Sequence, residues 1–198
     1  MKRNSLFLVI FSLAVPMLRA GTFEIDPVHS SILFKVKHLG ILPVTGRFNS
    51  VKGSFVYNKG KPKTWQVEAE IDATSIDTRV GKRDTHLKAP DFFDVERCPA
   101  LIFKSVRVTG VKGNKAKLHG DLTMRCVTKR VVLNLEISGP VEDPWGNMRL
   151  GVVAKTTLDR TDFEIAWNKK TKKGDWVVGE LVDVTLEIEA IEKKGLAE

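Results

Sequence analysis

The chain has 198 residues, 42% of them hydrophobic and 28% charged. That composition suits one globular domain with a substantial core and excludes a disordered chain. The formal charge is +8, and two cysteines and four histidines are present, too few for a cysteine-rich zinc or disulfide scaffold.

The first predicted element is a leader. Residues 1–20, "MKRNSLFLVIFSLAVPMLRA", carry Lys2 and Arg3, an apolar run from Leu6 to Val15, Pro16, and Ala20 before Gly21. This is the layout of a secretory signal, and the run of about ten residues is too short to span a bilayer. Two units are therefore expected: a signal peptide over 1–20 and a single domain over 21–198. Removing Lys2, Arg3 and Arg19 with the leader lowers the charge from +8 to +5. The basic run at 168–175, "NKKTKKGD", ends on a Gly-Asp hairpin signal and reads as a solvated loop tip rather than a nucleic-acid patch.

Alternation with period two dominates the rest. In 31–38, Ile32, Phe34 and Val36 share one face while Lys35 and Lys37 share the other. In 65–72, Trp65, Val67, Ala69 and Ile71 alternate with polar residues, as do Val182, Val184, Leu186 and Ile188 near the end. Eight strands are predicted, at 22–38, 44–58, 63–74, 99–110, 115–126, 129–139, 148–160 and 176–192. One helix is predicted, over 78–88. Strands with a single apolar face are antiparallel by habit. A sandwich and a closed barrel both satisfy them, and the long first and last strands favour closure, which removes both edges. The inward face mixes large Phe34, Phe48, Phe55 and Leu122 with small Gly46, Gly53, Ala69, Gly120 and Ala154. That mixture is compatible with unfilled volume and equally with relief of crowding.

Candidate chemistry is sparse. His29 and His38 fall on opposite faces of a regular strand, and no spacing matches a zinc site, so no metal is expected. Asp84 and His86, two apart in "KRDTHL", do not face each other on a helix. An acid–base couple there is the enzymatic alternative. Cys98 and Cys126 form an even pair in an exported chain, which suggests a disulfide. A two-residue turn at Gly113-Asn114, however, would pair Phe103 with Met124 and set Leu101 opposite Cys126, leaving Cys98 beyond the ladder. A bridge then requires a bend before Pro99.

Four segments resemble the YceI-like family: "IDPVHSSILFKVKHLG" at 25–40, "IDTRVGKRDTHLKAPDFFD" at 76–94, "GDLTMRCVTKRVVL" at 120–133 and "EDPWGNMRLGVVA" at 142–154. The resemblance covers essentially all of the chain after the leader. It implies an all-β fold, a single eight-stranded antiparallel lipocalin-like barrel with one short helix covering an end, exported to the periplasm. It also implies binding of a long isoprenoid-like amphiphile, a polyprenyl lipid or a quinone; the reading that follows is a carrier with no other cofactor and no enzymatic activity, and, since no second segment is long and apolar enough to cross a bilayer, with no stable membrane anchor. By motif, the candidate lipid-binding wall is Phe34 and Val36, then Leu87, Phe92 and Phe93, then Leu122 and Met124. The inward reading adds Phe48, Phe55, Ala69, Phe103 and Ala154. Arg83 and His86 are the head-group candidates, with a salt bridge from Arg83 to Asp84 or Asp91 as the structural alternative. Cys126 departs from the small residue the family pattern carries there. Besides the enzyme, a filled barrel acting as a stress-response interaction protein remains an alternative.

Overall fold

A computed structural model describes residues 20–193, so all of the expected leader except Ala20 lies outside the described residues. The strands are β1 (Gly21–Ile25), β2 (Ser31–His38), β3 (Leu42–Phe48), β4 (Val51–Tyr57), β5 (Gln66–Asp72) and β6 (Ile76–Asp77). Helix α1 (Gly81–Lys88) follows. Then come β7 (Ala100–Lys112), β8 (Lys115–Met124), β9 (Val127–Glu142), β10 (Met148–Asp159) and β11 (Val178–Glu192). Every pairing is antiparallel, and β1 closes the ring by pairing with β11 as well as β4.

The eleven segments form eight staves. β1 and β2 follow one another along β11, with Phe23 opposite Glu192 and Val36 opposite Val182. β3 and β4 likewise run along that first stave, and β5 and β6 run along the second. Each of these three staves breaks once, and side chains staple the breaks. Asp26 accepts from the Val28 amide where a 3₁₀ turn interrupts the first. Ser75 Oγ accepts from the amides of Asn49 and Ser50 at the second, and Asp72 accepts from Thr74 at the third. A strand this long must bend to wrap a barrel, and the polar caps supply partners for the amides that the bend frees.

Three expectations shift. The helix begins at Gly81 rather than 78, because Val80 is extended and Arg79 is left-handed at φ 65°. The β8–β9 turn falls on Arg125 and Cys126, both left-handed at φ 51° and 60°, so β8 ends at Met124 and β9 starts at Val127. Two left-handed residues define a tight hairpin turn, but neither residue is the Gly, Asn or Asp that announces one. Finally, Phe103 pairs with Leu122, not Met124. Irregularities between Ser105 and Arg107 and between Thr109 and Lys112 slide the pair by two residues in all. Continued past Ile102, that register sets Pro99 opposite Cys126 and brings Cys98 beside it. The disulfide forms, with Cα atoms 5.6 Å apart.

One end of the barrel gathers the β2–β3 tip, α1 and its following loop, the β8–β9 turn and the 160–177 loop. No helix among the described residues is long and apolar enough to cross a membrane.

Candidate functional site

The barrel encloses a cavity of about 240 Å³. Its wall is made by the inward halves of the alternating strands. Phe34, Val36, Phe48 and Phe55 come from the first two staves. Ala69, Phe103, Leu122, Met124 and Ala154 come from the strands opposite, and Leu87, Phe92 and Phe93 from the α1 segment. All twelve candidate residues border this cavity. Among the described residues, the only side chains on it that carry a hydroxyl or a charge are Thr156 and Arg160. The barrel is not filled.

Of the two readings open for the inward glycines, Gly46 and Gly120 follow the relief of crowding. A Cβ on Gly46 would overlap the Phe34 ring, and one on Gly120 would overlap the Phe103 ring. Each glycine is a seat for an aromatic ring. The rings they seat border the cavity together with the aliphatic wall and with Ala69 and Ala154.

The segment 78–98 covers the gathered end. Phe93 meets Phe48 edge to face at 5.6 Å, and Phe92 packs on Trp167 at 5.2 Å. His86 stands edge-on to both Phe92 and Trp167, at 4.9 and 5.0 Å, and its Nε2 lies 2.7 Å from Asp91. Four bonds converge on buried Thr78. Asp84 accepts from its amide and its hydroxyl, and Arg83 donates from Nε to the hydroxyl and from Nη2 to the carbonyl. The charges of this segment thus hold its own backbone. Arg83 and His86 are not on the cavity wall, and Arg83 makes its bonds to Thr78 rather than to either aspartate considered for it. Asp84 and His86 each have a different partner, so the acid–base couple is not assembled. No acid–base pair lines the cavity among the described residues.

The β8–β9 turn clamps the cover in place. Cys126 is bonded to Cys98, Arg125 Nη2 donates to the Pro90 carbonyl at 2.9 Å, and Arg125 Nη1 donates to Glu164 at 3.2 Å. These tertiary ties offset the cost of two left-handed residues, about 1–2 kcal/mol each.

Arg160 went unnoticed in the sequence. It follows β10 directly and is only 5% exposed. Its Nε donates to the Gly179 carbonyl at 2.9 Å, and its Nη1 donates to the carbonyls of Ile165 and Trp167. Burial draws the guanidinium below its ordinary pKa, against the opposing fields of Glu180 and Asp159. The only signal was an arginine at the end of an inward-alternating strand.

A second polar cluster lies on the outer wall. Asp26, His29 and Glu189 present ligand atoms within 4.8 Å of one another, and Arg149 bonds to two of the three. Its Nη1 donates to Asp26 at 3.0 Å and to Glu189 at 2.6 Å, and its Nε donates to Asp143 at 2.8 Å. A guanidinium among the carboxylates supplies the charge a cation would supply. The Arg149 bond, reinforced by amides of the 145–147 turn, holds the Asp143 carboxyl far below its usual range. The His29 bond, then Arg149, lowers Asp26, and Asp143 foremost raises Arg149. Two of the segments that carry the family resemblance, around 26–30 and 142–149, therefore meet in a wall clasp and not at the cavity.

Comparison with known proteins agrees with this architecture. A UPF0312 protein of Vibrio parahaemolyticus is 34% identical over 96% of this chain and 100% of its own. The crystal structure of the Campylobacter jejuni YceI protein superposes with a TM-score of 0.69 at 27% identity, over 80% of this chain and 90% of that one. A polyisoprenoid binding domain from Saccharophagus degradans shares the fold, with a TM-score of 0.66 at 11% identity over 88% and 100% of the two chains. The YceI-like domain model matches residues 23–190, and the chain belongs to the YceI-like family.

Proposed function

We propose that the protein is an exported carrier for a long isoprenoid-like amphiphile, a polyprenyl lipid or a quinone, held tail-inward in the barrel. The observation that carries this reading is the wall itself: an enclosed apolar cavity with two polar side chains, Thr156 and Arg160. A hydrocarbon tail gains about 0.8 kcal/mol for each CH₂ removed from water. Ten such groups supply roughly 8 kcal/mol before the cost of association, enough to drive binding without hydrogen bonds along the tail. The polyisoprenoid binding domain of Saccharophagus degradans has the same fold and supports this ligand class. The leader pattern of residues 1–20 supports export to the periplasm, with a mature chain beginning at Gly21.

The test is extraction. Protein purified from the periplasmic fraction is extracted with organic solvent and analysed by mass spectrometry, alongside Ala154→Phe. Ala154 is buried on the wall, so a phenyl ring there occupies tail space. The wild type is expected to yield a prenyl lipid and the variant little or none, with the barrel's circular dichroism unchanged. Extracts free of any long-chain amphiphile, together with no uptake of added prenyl lipid, overturn the reading.

A further inference from the structure

Resting on the reading of the barrel as a tail-binding cavity, we propose that Arg160 is the receptor for the ligand's head, and that this head is an anionic oxygen group, a carboxylate or a phosphate. A guanidinium stays protonated in proteins, and enclosing it without a counter-charge is costly. Arg160 is 5% exposed, yet it makes no salt bridge among the described residues. The adjacent acids are spent or turned outward. The Asp159 carboxylate accepts from the amide and hydroxyl of Thr161 at 2.9 and 2.6 Å, and Glu180 is exposed.

Three backbone carbonyls take up Nε and Nη1. They fix the side chain without neutralising it. Nη2 makes no hydrogen bond among the described residues, and it is not among the fully enclosed, unpartnered atoms. A rigidly held cation with a spare donor on an otherwise apolar wall is therefore complementary to an amphiphile with a charged end. Arg160 holds the Trp167 carbonyl, and the Trp167 ring packs on Phe92 of the covering segment. The head would thus lie beneath the cover, with the tail running along the aliphatic wall. A neutral quinone ring would leave the charge with only the fields of Glu180 and Asp159, neither of which bonds to it.

Paired ligands that differ only at the head test this. Equilibrium binding to the delipidated protein is measured for farnesyl phosphate against farnesol and for palmitate against methyl palmitate. The anionic member should bind about tenfold to a hundredfold more tightly than its neutral partner. A preference in the first pair alone identifies a phosphate head, and in the second alone a carboxylate. Arg160→Gln should abolish the preference while changing the affinity for farnesol and methyl palmitate by less than about threefold. Equal binding within both pairs by the wild type overturns the head assignment and leaves the tail reading standing. That comparison needs no variant to fold. Failure to bind any of the four removes the tail reading as well. A Gln variant that loses all four ligands equally makes Arg160 a brace for the 165–179 loop, which also overturns the proposal.

Discussion

Gly46 and Gly120 both seat a phenyl ring, but their surroundings differ in what can yield. The three atoms nearest a methyl on Gly46 all belong to the Phe34 ring, which borders the cavity and so has space beside it to move into. A methyl on Gly120 meets the Phe103 ring and also the Lys104 backbone carbonyl at 2.7 Å. The strand cannot retreat without breaking its ladder. Gly120→Ala should therefore cost about 1–3 kcal/mol, the usual range for overpacking, and Gly46→Ala clearly less. Gly46→Ala should instead weaken tail binding, because Phe34 takes up ligand space. Denaturant midpoints and lipid titrations separate the two. Equal loss of stability in both variants would mean that the Phe34 ring is as fixed as the backbone.

The same comparison applies to element-sized pieces. The covering segment 78–98 contains one short helix with no buried residue. Its hold on the barrel comes from Phe92 and Phe93 packing inward, the Thr78 knot, and the clamp from the β8–β9 turn. The disulfide closes a loop with a sequence separation of 28, which includes the end of that cover and the whole β7–β8 hairpin. Chain-entropy arguments give such a loop about 3–4 kcal/mol of stabilisation. Cys98→Ser with Cys126→Ser should lower stability by that order. Limited proteolysis should then cut within 78–98 before any strand is attacked, because local opening starts where ties are fewest. Cleavage patterns identical to those of the oxidised wild type would show that the aromatic contacts alone keep the cover shut.

At the scale of the whole molecule, closure of the ring depends on the first stave meeting β11. The Arg149 clasp sits at that seam, joining the β1–β2 kink through Asp26, β11 through Glu189 and the β9–β10 loop through Asp143. Asp26 and Asp143 both have lowered pKa values in the fold. At low pH the unfolded chain binds more protons than the native one, so stability falls as the medium is acidified. The contribution is complete above the ordinary carboxylate range, near pH 4, and is lost progressively below it. The wild-type melting temperature should therefore drop between about pH 4 and pH 2. Arg149→Met should melt lower at pH 7, lose less on acidification and draw steadily nearer the wild-type curve as the pH falls below about 4. Parallel curves over that interval would remove the clasp from the acid response.

Alternation along each strand is a local property, and it sufficed for the antiparallel sense and for which side of a strand faces inward; the closed barrel and the inward Leu87, Phe92 and Phe93, which lie on no strand, were legible only through the family resemblance. Any chain that buries one strand face must place Phe34, Phe103 and Ala154 inward once Ile32, Leu101 and Val152 are placed. Three features came from contacts between residues far apart in sequence. The two-residue slide of β7 against β8, which sets Cys98 beside Cys126, depends on irregularities that leave no mark in the alternation. The left-handed Arg125-Cys126 turn is held by Pro90, Glu164 and Cys98, so neither of its own residues announces it. Arg160 is marked in the sequence only by its inward place at a strand end, and what surrounds it there, the carbonyls of Ile165, Trp167 and Gly179, comes from loops that fold over to receive it. Periodicity records which way a side chain points along its own strand. What it meets there is set by register and by loops that return from elsewhere in the chain, and those depend on the closed barrel as a whole.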